Sequence, residues 1–100
     1  MKLSIIIPVY NSATILHKLN NRILKSVEEM KLINDFELIM INDFSKDKSW
    51  EKIEHLSSKY NYIKGIKLSE NFGQHNALLC GIRLAQNNFI ITMDDDLQHP

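Results

Sequence analysis

Along the chain, short apolar runs alternate with stretches in which apolar residues recur every third or fourth position. Ser4-Ile5-Ile6-Ile7-Pro8-Val9 is a β-branched run without polar alternation, the pattern of a strand buried on both faces, and its proline places the end near Pro8. After Tyr10, the segment Asn11-Ser12-Ala13-Thr14 offers side chains able to cap a helix. Ile15, Leu19, Ile23, Val27 and Met30 then lay one apolar stripe along an amphipathic helix. Phe36 to Ile41 reads as the second strand, and Trp50, Ile53, Leu56 and Tyr60 mark a second helix opened by Ser45 or Asp47. Tyr62 to Leu68 reads as a third strand and Gln74 to Ala85 as a third helix. Phe89-Ile90-Ile91-Thr92-Met93 reads as a fourth strand, buried like the first, that runs into Asp94-Asp95-Asp96.

This alternation predicts an α/β fold with an open, mainly parallel, Rossmann-like sheet of about four strands alternating with three helices. Ligands of open α/β sheets bind outside the carboxyl ends of the strands. Tyr10-Asn11, Asn42-Asp43, Glu70-Asn71 and Asp94 to Asp96 all fall at that rim. No repeat, low-complexity tract or linker interrupts residues 1–100, so they form one unit. The acidic cluster is followed at once by Pro100, and the expectation is a truncated part of a larger domain.

Composition narrows the classes. Twelve basic residues balance twelve acidic ones, which excludes the basic footprint of a nucleic-acid binder. With 44% apolar and 24% charged residues, a disordered chain is disfavoured. The single cysteine, Cys80, cannot form an internal disulfide and zinc-type spacings are missing, so a reducing, cytoplasmic location is expected. No apolar run approaches the roughly 20 residues of a membrane helix, and Met1-Lys2-Leu3-Ser4 lacks the character of a signal peptide.

Three adjacent carboxylates repel one another unless water or a cation screens them. In an extended chain Asp94 and Asp96 point the same way and suit one hard divalent ion, magnesium or manganese, while Asp95 points elsewhere. Such ions share their shell with substrate phosphates, which suggests a diphosphate ligand. Taken alone, the triplet reads first as a solvated acidic turn, since acidic turns are common and Asp favours loops. Asp43 could accept from a nucleotide's ring N–H or ribose hydroxyl, or could simply cap the second helix. Gly73 in Asn71-Phe72-Gly73-Gln74-His75 supplies backbone freedom before the third helix. His75 reads as a cap or surface residue, and Cys80 as a small core residue. The first strand-to-helix turn, Pro8-Val9-Tyr10-Asn11-Ser12, has no glycine, so a dinucleotide fingerprint is excluded. A calcium loop starting at Asp94 would place His99 where its glycine belongs.

Three ordered segments, Ser4 to Asn11, Leu38 to Asp47 and Ile90 to Pro100, together resemble the family 2 glycosyltransferases of the GT-A fold, over the whole chain. Asn71-Phe72-Gly73-Gln74-His75-Asn76-Ala77 with the Asp-x-Asp-Leu-Gln ending is most similar to the bacterial branch that loads sugars onto undecaprenyl or dolichyl phosphate. The resemblance implies a metal-dependent, inverting transfer from a nucleotide-sugar, with a UDP-sugar favoured, to a polyprenyl phosphate. The acceptor could instead be a polysaccharide or other glycan. It places Pro8, Tyr10, Asp43, Asp94 and Asp95 around the nucleotide, and Asp94, Asp96 and Gln98 around Mg2+ or Mn2+. It also implies that the catalytic base and any membrane helices lie beyond Pro100, and that the longer protein sits at the cytoplasmic face of the inner membrane. Asn42 and Phe44 replace the first Asp and the Gly of the family's usual Asp-Asp-Gly-Ser, and Glu70 replaces a frequent basic residue. These departures keep open a noncatalytic nucleotide-binding or scaffolding module. A shortened chain with an uncovered sheet edge is expected to self-associate.

Overall fold

The computed structural model describes residues 2–31 and 35–95. Strands β1 (Lys2–Val9), β2 (Asp35–Asn42), β3 (Ile63–Lys67) and β4 (Phe89–Thr92) alternate with helices α1 (Leu16–Glu29), α2 (Ser49–Lys59) and α3 (Gln74–Leu84). All three strand pairings are parallel, and the order across the sheet is β3-β2-β1-β4. This is the α/β architecture expected from the alternation. Among the described residues, no helix is long and apolar enough to cross a membrane.

Strand parity sorts the core. Leu3, Ile5, Ile7 and Val9 of β1 join Leu38 and Met40 of β2 against Leu16, Leu19 and Ile23 of α1 and Ile53 and Leu56 of α2. The alternate residues Ile6, Ile39 and Ile41 face Ala77 of α3. A continuous apolar run is therefore what β1 needs, because helices cover both of its faces. Helix α3 approaches the sheet through Gly81, where an added Cβ would lie 2.6 Å from Ile41 Cδ1 and against Ile6 Cγ2.

Pro8 sits within β1 and opposite Ile41. The Val9 carbonyl accepts from Asp43 on the β2 side, whereas the Ile6 carbonyl accepts from Met93 on the β4 side. Alternation then turns the N–H that proline lacks toward the β4 side, where β1–β4 pairing has ended at Ile6 and Thr92. The strand therefore runs one residue past its proline without losing a ladder bond.

Two expectations change. Strand β4 is exposed along its length, with Phe89 at 57%, because it is an edge strand that lacks the helix packing by which α2 covers the other edge, β3. Helix α1 starts at Leu16, which takes the fully buried place expected of Ile15, and Met30 at its far end is 50% exposed. No side chain caps α1; Asn11 and Ser12 are engaged in other bonds, described below.

At the amino-terminal end of the sheet, the buried Glu37 carboxylate accepts from the Ser4 hydroxyl (2.6 Å), Lys64 Nζ (2.6 Å) and the Gln86 amide (2.7 Å). Asn87 donates its amide to Ser4 Oγ at 3.2 Å and its side-chain Nδ2 to the Leu3 carbonyl at 2.9 Å. The segment leading into β4 is thereby fastened to β1 and β2. Burial alone would raise the Glu37 pKa, but the bonds from Gln86, Lys64 and Ser4 outweigh it and hold the group below its ordinary value.

Candidate functional site

The chain leaves β1 on one side to make β2 and returns on the other side as β4, so the order reverses between β1 and β4. Helices α1 and α2 pack on one face and α3 on the other. A crevice outside the carboxyl ends of the strands at such a switch point is where open α/β sheets take ligands. A cavity of about 230 Å3 lies there, lined by Pro8, Val9, Tyr10, Asp43, Asn71, Gly73, Gln74 and Asp95. A second hollow of about 330 Å3, between α1 and β4, is lined by apolar residues such as Leu19, Ile23, Ile91 and Met93, with Arg22 as its one ionisable group. Its chemistry is that of an uncovered core flank.

The loop after β1 is held by its own backbone. Four successive amides donate to side chains from other segments: Tyr10 to Asp95 Oδ2 (3.1 Å), Asn11 to Ser45 Oγ (3.0 Å), Ser12 to Ser49 Oγ (2.8 Å) and Ala13 to Asp47 Oδ2 (3.1 Å). Asn11 Oδ1 accepts from the Lys46 amide at 2.8 Å. Asn11 itself has φ +51°, a left-handed conformation that asparagine tolerates better than most residues. In glycine-rich phosphate loops the backbone amides face the ligand. Here those amides are spent inside the protein, which agrees with the missing glycines.

Asp43 is 4% exposed. Its Oδ1 accepts from the Phe72 amide at 2.9 Å, and its own amide donates to the Val9 carbonyl at 2.9 Å, so it ties the ends of β1 and β2 to the loop before α3 at the cavity wall. The helix-capping alternative is not met: the N-cap position of α2 is Lys48 and no side chain caps the helix, although Asp47 Oδ1, just before it, accepts from the Ser49 amide at 2.9 Å in a local turn. Burial tends to raise the Asp47 pKa, and the bonds from Ser49 and Ala13 bring it below its usual value. Phe44, beside Asp43, has φ +59° and is 47% exposed.

Gly73 has φ +86° and precedes α3, as the need for backbone freedom predicted. Its neighbour Gln74 donates Nε2–H to Asp94 Oδ1 at 2.9 Å. Asp94 is exposed, whereas Asp95 is half-buried and turned back toward the β1 loop. Asp96 and Gln98 lie outside the described residues, and among the described residues no group of three or more His, Cys, Asp or Glu side chains could hold a metal ion. The Asp94 carboxylate is a hard oxygen donor of the kind Mg2+ and Mn2+ take. His75 is exposed, and Cys80 is half-buried beside the Ile6 and Ile39 cluster. The structure thus brings Pro8, Tyr10, Asp43 and Asp95 together around one cavity, with Asp94 at its α3 side. Ser12, Ser45, Asp47 and Ser49 were not singled out for this rim; their signal was the concentration of Ser, Asn and Asp in two loops that the topology makes neighbours.

Comparison with known proteins supports the same reading. The pattern of the family Glycosyl transferase family 2 matches residues 4–100. The chain is 37% identical over 100 residues to an undecaprenyl-phosphate 4-deoxy-4-formamido-L-arabinose transferase of Proteus mirabilis, covering 99% of this chain and 30% of that protein. It is also 37% identical over 100 residues to a dolichol-phosphate mannosyltransferase of Pyrococcus furiosus, covering 27% of it. The chain therefore spans less than a third of the length of these relatives. Among solved structures, TarS 1-349 of S. aureus in complex with UDP-GlcNAc superposes with a TM-score of 0.76 at 26% identity, over 96% of this chain and 27% of that one. A mannosyltransferase of Pyrobaculum calidifontis, 17% identical, shares the fold with a TM-score of 0.78 over 94% of this chain and 27% of that one. The ordered acidic rim, the parallel sheet and a family match running from Ser4 to Pro100 converge on one assignment: the chain belongs to glycosyl transferase family 2.

Proposed function

We propose that residues 1–100 are the nucleotide-sugar-binding part of an inverting, metal-dependent glycosyltransferase that moves a sugar from a UDP-sugar to a polyprenyl phosphate. The observation that carries this reading is the cavity at the β1/β4 switch point, where Pro8, Tyr10, Asp43 and Asp95 meet. In it, Pro8, Tyr10, Asp43, Asp94 and Asp95 surround the nucleotide, and Asp43 accepts the N3–H of uracil through Oδ2 while Oδ1 keeps the Phe72 amide. Asp94, together with Asp96 and Gln98, would hold Mg2+ or Mn2+, and the ion would supply Lewis-acid stabilisation of the departing nucleoside diphosphate. The acceptor oxygen attacks the anomeric carbon from the face opposite the leaving group, which gives inversion. The polyprenyl-phosphate acceptor rests on the two relatives above, and with it comes a place at the cytoplasmic face of the inner membrane.

Calorimetric titration of the intact protein carrying this sequence with UDP and CDP, in manganese, tests the donor site. A buried carboxylate left without its donor costs about 1–3 kcal/mol, so UDP is expected to bind about tenfold to a hundredfold more tightly than CDP. Asp43→Ala should shrink that ratio, and a ratio unchanged by the substitution would remove Asp43 from base recognition.

A further inference from the structure

We infer that Asp95, in the wall around the nucleotide, is a positioning residue that acts by fixing the backbone of Tyr10 and not as a charged ligand of nucleotide or metal. This deepens the donor-site reading and rests on it. One carboxylate oxygen, Oδ2, accepts the Tyr10 amide at 3.1 Å and the Ser12 hydroxyl. That hydroxyl also lies 3.0 Å from the Tyr10 carbonyl, so its single proton serves either acceptor. With the Ser12 proton turned toward Asp95, the two donors fill both lone pairs of Oδ2. Side chains alternate along an extended segment, so Asp95 faces the β1 loop while Asp94 faces α3, where Gln74 meets it.

The bond's place in the fold gives it a function. Asn11, Ser12 and Ala13 are all held from the β2–α2 side, by Ser45, Ser49 and Asp47. Asp95 is the tie that comes from β4, and it takes the amide of Tyr10, the loop residue that lines the cavity. It bridges the two strands between which the crevice opens. Without it, Tyr10 keeps its covalent neighbours but loses the bond fixing its backbone against the β4 end, and the cavity wall loosens on the side away from Asp94. Donor binding should then fall whether or not a metal is present.

Three measurements on the intact protein test this. Amide exchange of Tyr10, read by NMR without nucleotide, should accelerate in Asp95→Ala and stay slow in Asp95→Asn, whose side-chain oxygen offers the same two lone pairs. Uridine affinity in the absence of metal should drop by about tenfold in Asp95→Ala, matching the drop for UDP with manganese, and should recover to within about threefold in Asp95→Asn. Ser12→Ala should add little to Asp95→Ala, because the two share one bond network. Equal losses in the Asn and Ala variants, or a loss confined to manganese-dependent UDP binding, would make Asp95 a charged ligand and overturn the inference. If the unsubstituted protein binds neither uridine nor UDP, the donor-site reading fails, and the Tyr10 exchange alone then decides whether the tie exists.

Discussion

Replacing Glu37 by Gln probes how firmly β4 is fastened to the sheet, and the structure sets the size of the effect. Glu37 Oε2 accepts from Ser4 and Gln86, while Oε1 accepts from Lys64, whose side chain is 43% exposed. A glutamine can keep its oxygen toward Ser4 and Gln86 and turn its amide toward Lys64, whose ammonium then swings into water. The Lys64 arm is a half-exposed ion pair and contributes about 0–1 kcal/mol. The other two bonds fall from charge-assisted strength, about 1.5–3 kcal/mol each, to neutral strength, about 0.5–1.5 kcal/mol each. The expected loss at pH 7 is about 3 kcal/mol, read by urea denaturation. Because the folded-state pKa lies below its ordinary 4.5, the carboxylate's contribution is present above that pH and disappears as acid takes the pH through the lowered folded value. The gap between the parent and Glu37→Gln should therefore close on acidification. A gap under about 0.5 kcal/mol at pH 7, or one that persists in acid, would refute the reasoning.

Phe44 holds φ +59° with its ring half in solvent, so Phe44→Gly should relieve about 1–2 kcal/mol of left-handed strain against about 0.5–1 kcal/mol of added chain entropy. A modest rise in the urea midpoint is expected, and a fall would mean that the ring packs usefully. Gly81→Ala should destabilise by about 1–3 kcal/mol through contact with Ile6 and Ile41, more than the roughly 1 kcal/mol gained in helix propensity; a thermal midpoint equal to or above the parent's would contradict this packing. The exposed β4 edge predicts that residues 1–100 alone shift to larger species in size-exclusion chromatography as concentration rises, and that Phe89→Lys reverses the shift. A monomer at every concentration would count against it.

The order of elements was legible because a change from period two to period 3.6 is a local property of the chain. Which strand forms an edge was not. Phe89-Ile90-Ile91 reads like Ile5-Ile6-Ile7, and the difference lies in what packs beside each, helices on both faces of β1 but open surface along β4. The stripe on α1 was legible to within one residue, since Ile15 and Leu16 both fall on it and the loop geometry selects Leu16. Side-chain direction at Asp95 followed from strand alternation, but its partners did not. Tyr10 and Ser12 are distant in sequence and meet it only because β4 lies beside β1. Glu37 carried a signal that went unused, a lone carboxylate in an apolar strand that burial obliges to find partners.

The proline in β1 has a consequence for how the chain is made. Leu3 pairs with Phe89, so β1 leaves the ribosome well before its β4 neighbour exists, a delay of several seconds at roughly 5–20 residues per second. During that interval β1, β2 and β3 can already assemble beneath α1 and α2, and the β4-facing side of β1 is the open border of the nascent sheet. Pro8 turns its missing donor toward that border, where it interrupts the row of N–H groups that a foreign strand would need. A residue that costs the finished ladder nothing thus protects the unfinished one from pairing with the wrong chain.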